Sequence, residues 1–409
     1  MIKDRQRIDS LLATYGNPLY VFRENDFIEN YTAFDRVMKA GYDKYQLSYS
    51  YKTNYAPYIA KLVKKLGGYA EVVSDMEYYV AKKAGYEDRQ IIYNGPIKGE
   101  AAYRMMLNGG ILNADNLEEL KHICTVAENN ADRDIYIGLR LNIDIGQSFI
   151  SRFGIDTDSD DLLHAIRMVE DQKNLHIQGL HCHIGQSRST GSWRNRAQRM
   201  LDIVERYFKD AGLKYIDLGS GMFARMEKSF ADQFGSDIPD YEEYAEAIGS
   251  VFSAYYKDYS YDDRPILFTE PGTTLINSYI DFIATVSSIK HIKGKTFVVL
   301  NCSKHNLGEV CTLKKLPIEI IRNSGDTEEL NNADLVGYTC LEHDVMYSGF
   351  SGDLGVGDYL VFGNTGGYSN VSKPPFISPN CAMVSENGAL IKKAEDFEDV
   401  LGAYQWEKD

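Results

Sequence analysis

The strongest constraint in this chain is an alternation. From Asn25 onward, short runs with strand character are separated by longer runs whose apolar residues recur at three-to-four spacing. The strand-like runs are 46–51, 69–73, 90–93, 110–114, 134–141, 176–183, 215–218 and 266–269, and stretches such as 76–84 and 117–127 read as helices. Eight strands alternating with helices over about 230 residues predict a parallel (β/α)8 barrel rather than an open sheet. After Gly272 the texture changes. Short β-rich segments at 280–289, 296–300, 319–321 and 359–362 are broken by Gly and Asn. The expectation is an α/β chain with a barrel over 26–273. A mostly β domain is expected from 1–25 and 274–409, with the strand at 19–22 completing it.

A length of 409 residues suits two or three domains. The formal charge of -15 excludes nucleic acid as the main partner, because a phosphate backbone needs clustered Lys and Arg. Cys124, Cys182, Cys302, Cys311, Cys340 and Cys381 are scattered, with no C-x-x-C pair or zinc-like cluster, which fits a reducing cytoplasm. The first residues lack the apolar core of a signal peptide, and no apolar stretch is long enough to span a bilayer. Neither export nor a membrane is therefore expected.

Six stretches could carry chemistry. Ser48-Tyr49-Ser50-Tyr51-Lys52-Thr53-Asn54 reads as a strand that ends on a lysine. At the mouth of a barrel such an ammonium loses hydration, its pKa falls, and its amine can attack an aldehyde such as that of pyridoxal phosphate (PLP). On the local pattern alone, a solvated edge lysine is the commoner case. In His181-Cys182-His183-Ile184-Gly185-Gln186-Ser187 the two histidines point the same way. They would form half a metal site, but no Asp, Glu or His partner stands at ligand spacing, so no metal is expected. One imidazole could instead stack on a flat ring while the Gly-Gln-Ser turn faces an anion, or backbone carbonyls could satisfy both rings.

Asp217-Leu218-Gly219-Ser220-Gly221 is a strand-to-glycine turn, of the kind that lets backbone N–H groups approach a phosphate or simply turns the chain. Glu270-Pro271-Gly272 ends the eighth strand with either a carboxylate for a protonated ring nitrogen or a plain turn. Cys340-Leu341-Glu342-His343-Asp344 and Asn364-Thr365-Gly366-Gly367-Tyr368 lie in the β-rich part.

These residues, in this order, resemble the PLP-dependent amino-acid decarboxylases of the alanine-racemase-like fold, the diaminopimelate, ornithine and arginine decarboxylase group. Tyr51-Lys52-Thr53-Asn54 is similar to the family's lysine stretch and Ala70-Glu71-Val72-Val73-Ser74 to its next strand. His181-Cys182-His183-Ile184-Gly185 resembles its His-x-His-Ile-Gly segment and Glu270-Pro271-Gly272 its Glu-Pro-Gly. Cys340 and Asp344 match its Cys-x-x-x-Asp loop, and Gly366-Gly367-Tyr368 its Gly-Ala-Tyr. The resemblance implies PLP as cofactor and decarboxylation of an amino acid of the diaminopimelate or ornithine type, or of a modified or carrier-linked derivative. It implies Lys52 as the cofactor-bearing lysine, His183 on the ring face and Glu270 on the ring nitrogen. Ser187, Gly219, Ser220, Gly221 and Tyr368 would hold the phosphate. Cys340 would be catalytic and reach the site of a partner subunit, so a homodimer with shared sites is implied.

The departures are specific. Gln186 stands where the family has serine, with Ser187 next, and Thr273 stands where an arginine commonly follows Glu-Pro-Gly. That change puts diaminopimelate itself in doubt and makes Thr273, Glu342 and Asp344 candidates for substrate selection, the two acids toward a positively charged tail. A racemase or epimerase on the same scaffold, and a catalytically inactive binding homologue, are the competing readings. The ring-nitrogen carboxylate argues against the first, since the racemase counterpart is an arginine. Retention of Lys52 argues against the second.

Overall fold

The computed structural model describes residues 1–323 and 325–406, so 407–409, the end of the expected β-rich segment, lie outside the described residues. The chain divides into two compact units. One comprises Asn30–Phe223 and Asp237–Thr274, the other Met1–Glu29, Ala224–Ser236 and Leu275–Asp409.

The first unit is the expected barrel. Its strands are Tyr45–Ser50, Tyr69–Val72, Ile91–Tyr93, Ile111–Ala114, Ile135–Asn142, Leu175–His181, Tyr215–Asp217 and Ile266–Thr269. Each pairs in parallel with the next, and the eighth closes on the first through Leu267 opposite Tyr45. Helices follow the strands, among them Pro57–Lys65, Asp75–Lys83, Glu100–Leu107 and Leu117–Glu128. Ser74 and Asn116 cap two of them by accepting the backbone N–H three residues on. Lys52 lies just past its strand, in a 3-10 turn over Tyr51–Thr53.

Inside the barrel Ile92, Tyr215 and Phe268 form a packed plug, with Tyr69, Ile111 and Ile266 against it. The Tyr215 ring fits only because the neighbouring strands carry glycine: a Cβ on Gly179 would fall 2.2 Å from Tyr215 Cζ, and one on Gly138 2.0 Å from Tyr215 Oη. The plug leaves the polar strand ends on one side, where barrel chemistry sits.

The second unit is mostly β. Leu19–Phe22 runs antiparallel to the long strand Ile280–Ile292 and parallel to Ala382–Ser385, so the N-terminal strand joins this sheet as expected. Helix Arg5–Tyr15 packs Ile8, Leu11 and Leu12 on the apolar face formed by Leu19, Val21, Ile283, Val361 and Val384. Strands Glu328–Val336 and Val345–Leu354, absent from the sequence expectation, extend the sheet through irregular registers. Among the described residues no helix is long and apolar enough to cross a membrane.

Gly179→Ala is expected to cost about 1–3 kcal/mol or more through overpacking against Tyr215. A lower urea midpoint at unchanged slope would show it, and an unchanged midpoint would mean that the plug yields.

Candidate active site

The polar residues at the strand ends organise themselves around two buried carboxylates. The first is Glu71, wholly buried at the end of the second strand. Its Oε2 accepts from Lys52 Nζ at 2.6 Å and from Ser50 Oγ at 2.6 Å. The second is Glu270, 1% exposed at the end of the eighth strand. Its Oε1 lies 3.1 Å from His181 Nε2 and its Oε2 3.3 Å from His183 Nδ1. The Asn94 amide joins the two: Nδ2 donates to Glu270 Oε1 and, at 3.4 Å, to Glu71 Oε1. Asn94 is held in turn, because its Oδ1 accepts from Asn113 Nδ2 at 2.7 Å and Asn113 Oδ1 accepts from Tyr215 Oη at 2.7 Å. The plug therefore sets the orientation of the amide above it.

The electrostatics follow from burial and neighbours. Desolvation lowers the His181 pKa and pulls His183 down to about 4, so the His183 imidazole is neutral near pH 7. Burial by itself would raise Glu270. The field and hydrogen bonding of His181, the contact with His183 and the charge of Lys52 outweigh it and hold the carboxyl well below the usual range. Glu77, also buried, goes the other way. Desolvation and the charge of Glu71 push it up to about 7, only partly offset by the Val73 N–H.

The turn after the seventh strand is pinned from behind by Arg196, on helix Thr190–Ile203. Its guanidinium is fully buried 3.9 Å from the centre of the Trp193 ring. Nη1 donates to the carbonyls of Leu218 (2.8 Å) and Ser220 (3.0 Å), and Nη2 to that of Ile184 (2.7 Å). One side chain thus ties the 218–220 turn to the loop after the sixth strand. Gly219 and Gly221 have φ of 63° and 114°, and a Cβ at either would come within 2.5 Å of the Cys182 or Ile184 carbonyl oxygen. Ser220 N–H donates to His183 Nδ1 at 3.3 Å.

Lys52, His183, Gly219, Ser220 and Glu270 are therefore brought together on one unit, with Gly221 on the same turn. Ser187 is half-buried on a loop of that unit, and Thr273 is half-buried at the first residue of a short helix. A lysine amine, a partly exposed imidazole, an ionised carboxylate and a close-packed glycine turn are the donor set that a phosphorylated pyridine aldehyde requires, so these residues could hold PLP. Sequence reading assigned no role to Glu71, Asn94 or Arg196. It also saw no acidic partner for the histidines, whereas His181, Asp217 and Glu270 place ligating atoms within 4.8 Å of one another. Strands distant in sequence bring them together, a proximity that spacing along the chain does not reveal.

In the second unit Cys340 and Glu342 are exposed. Asp344 is not. It is 2% exposed, and its carboxylate accepts from Ser303 Oγ, Lys304 N, Thr339 N and Thr339 Oγ1 at 2.6–3.3 Å. Its oxygens shape the loop, whereas Glu342 is the solvent-facing acid. Tyr368 is 43% exposed with a left-handed backbone, φ 54°.

Residues 25–277 match the family model for the pyridoxal binding domain of pyridoxal-dependent decarboxylases. The chain belongs to this decarboxylase family. It is a PLP-dependent carboxy-lyase acting on an amino acid. The decarboxylase is similar to the diaminopimelate decarboxylase of Aquifex aeolicus, with 25% identity over 96% of this chain and 93% of that protein. It shares its fold with the Methanocaldococcus jannaschii diaminopimelate decarboxylase solved in complex with L-lysine (TM-score 0.83, 24% identity, 97% and 94% of the two chains). It also shares it with the Selenomonas ruminantium lysine decarboxylase (TM-score 0.73, 20% identity, 98% and 97%).

Arg196→Met is expected to cost about 3–5 kcal/mol and to weaken PLP binding, since it orphans three carbonyls under the glycine turn. Calorimetry and cofactor titration would show both losses, and Arg196→Lys would restore little because it lacks the planar fork. A pH effect follows from Glu77. Its folded pKa, about 7, lies above the ordinary 4.5, so the fold binds this proton more tightly than the unfolded chain does. Stability from this group is full below pH 4.5 and falls as pH rises to about 7. Glu77→Gln should gain on the order of 1–3 kcal/mol over wild type across that window, read by urea unfolding at several pH values.

Proposed function

We propose that this decarboxylase removes the α-carboxyl group of an amino acid with a polar or cationic tail, working as a homodimer in the cytoplasm. The observation that carries the reading is the pairing of Lys52 and Glu270 on adjacent strands of the closed barrel, each locked by buried partners. PLP, when bound, supplies an electron sink for the pair released as CO2 departs. Lys52 would carry the cofactor, with Glu71 and Ser50 aiming its amine and keeping it from swinging to solvent. His183 would lie against the ring. Glu270 would offer a negative charge to the ring nitrogen, which its low pKa makes possible. The 219–221 turn and Ser187 would hold the phosphate.

Cys340, contributed from a second copy, delivers a proton to Cα of the product. Its exposure within its own unit supports that role. Glu342 pairs with a positive substrate tail. Thr273, shorter than the arginine usual at this point, leaves room and removes a positive charge, which disfavours a substrate with a distal carboxylate. The free state of all the cysteines supports a reducing compartment.

Amino-acid pools, D-forms included, incubated with the loaded protein in deuterated water test the reaction. The expected product has lost CO2 and gained one deuterium at Cα. Deuterium uptake with the carboxylate retained would make the protein a racemase. Cys340→Ser should lose about 10²–10⁴-fold in kcat. Mixing inactive Lys52→Ala and Cys340→Ala proteins should restore activity that neither has alone, and failure to do so would remove the shared site. Glu342→Gln should raise KM with little change in kcat.

A further inference from the structure

Asp217 is the last residue of the seventh strand and is fully buried. Its Oδ1 accepts from Gly219 N–H at 2.8 Å. Its Oδ2 is equally buried, and among the described residues no N–H or O–H group donates to it. What stands beside it is another acceptor: Asp217, Glu270 and His181 bring their ligating atoms within 4.8 Å of one another. Two ionised carboxylates cannot share such a dry site, so one of them keeps a proton.

We propose that Asp217 is carried as a neutral acid whose O–H donates to Glu270, making Asp217 the residue that positions and steadies the Glu270 charge. The inference rests on the reading of Glu270 as the partner of the ring nitrogen. The asymmetry of the surroundings decides where the proton sits. Glu270 has His181, His183 and the Asn94 amide around its oxygens and feels the charge of Lys52. Asp217 has one backbone N–H, and the charged groups that bear on it, Glu270 and Glu71, are both negative. Burial first, and then Glu270, push its pKa well above the usual carboxylate value. A proton on Asp217 satisfies Oδ2 and adds a further donor to Glu270. The carboxylate then has the Asn94 amide and the Asp217 hydroxyl as donors and keeps its charge for the cofactor.

The experiment compares the PLP-loaded wild type with Asp217→Asn and Asp217→Val. Asparagine is neutral, nearly isosteric and still offers an N–H, whereas valine offers nothing. The Asn variant should keep its PLP Kd within about threefold and an unchanged pH dependence of the visible cofactor band, while the Val variant should weaken PLP about 10–100-fold and shift that band. Infrared spectra of the wild type should show a protonated-carboxyl stretch, absent in both variants, that persists to alkaline pH. No such stretch, an Asn variant as damaged as the Val variant, or a stoichiometric divalent cation in the purified wild type would each overturn the proposal. If the Val variant does not fold, the infrared band and the Asn variant still decide it. Glu270→Gln separates the two readings. A visible band unmoved by that change, with the Asp217 stretch retained, would remove Glu270 from the ring nitrogen and leave the proton on Asp217 standing.

Discussion

A buried carboxylate stays charged only if its surroundings replace the water it has lost. That requirement shapes the mouth of this barrel. Glu270 sits almost out of solvent, and strands three, six and seven each send a residue toward it. Glu71 solves the same problem with Lys52 and Ser50. The Asn94 amide, shared between them, makes the two solutions one network. Its lower end is Tyr215, which is also part of the apolar plug. Packing in the barrel floor and charge at its mouth are therefore coupled through two amides.

The 218–221 turn is built on a different principle. A buried guanidinium faces the carbonyls behind it. The arginine fixes the shape of the backbone. The left-handed glycines allow the turn to lie directly on the loop after the sixth strand.

Most of the barrel was legible because buried parallel strands are short apolar runs with abrupt ends. The expected boundaries lie within two residues of those observed, and Lys52, His183 and Glu270 could be placed on strand ends from motif order alone. The strands Glu328–Val336 and Val345–Leu354 were not legible. The first contains Asn331, Asn332 and Asp334 and the second two glycines, and their pairing is bulged, so no two-residue period survives. Ala382–Ser385 is four residues, all buried, too short to show a period. Arg196 reads as a surface residue of a polar helix, and only the fold turns it inward. The Asp344 case is the converse: in sequence it is indistinguishable from Glu342 two residues before it, yet one is a buried staple and the other faces solvent.

That staple has a consequence for how such an enzyme can change. Asp344 grips Ser303, Lys304 and Thr339, so the loop carrying Cys340 draws its shape from residues at its two ends. Between the anchors the Leu341 backbone closes the turn onto Asp344 and Thr339, while Glu342 and His343 are exposed. The solvent-facing side chains of this loop can therefore change in the course of descent without disturbing the anchors that place the thiol.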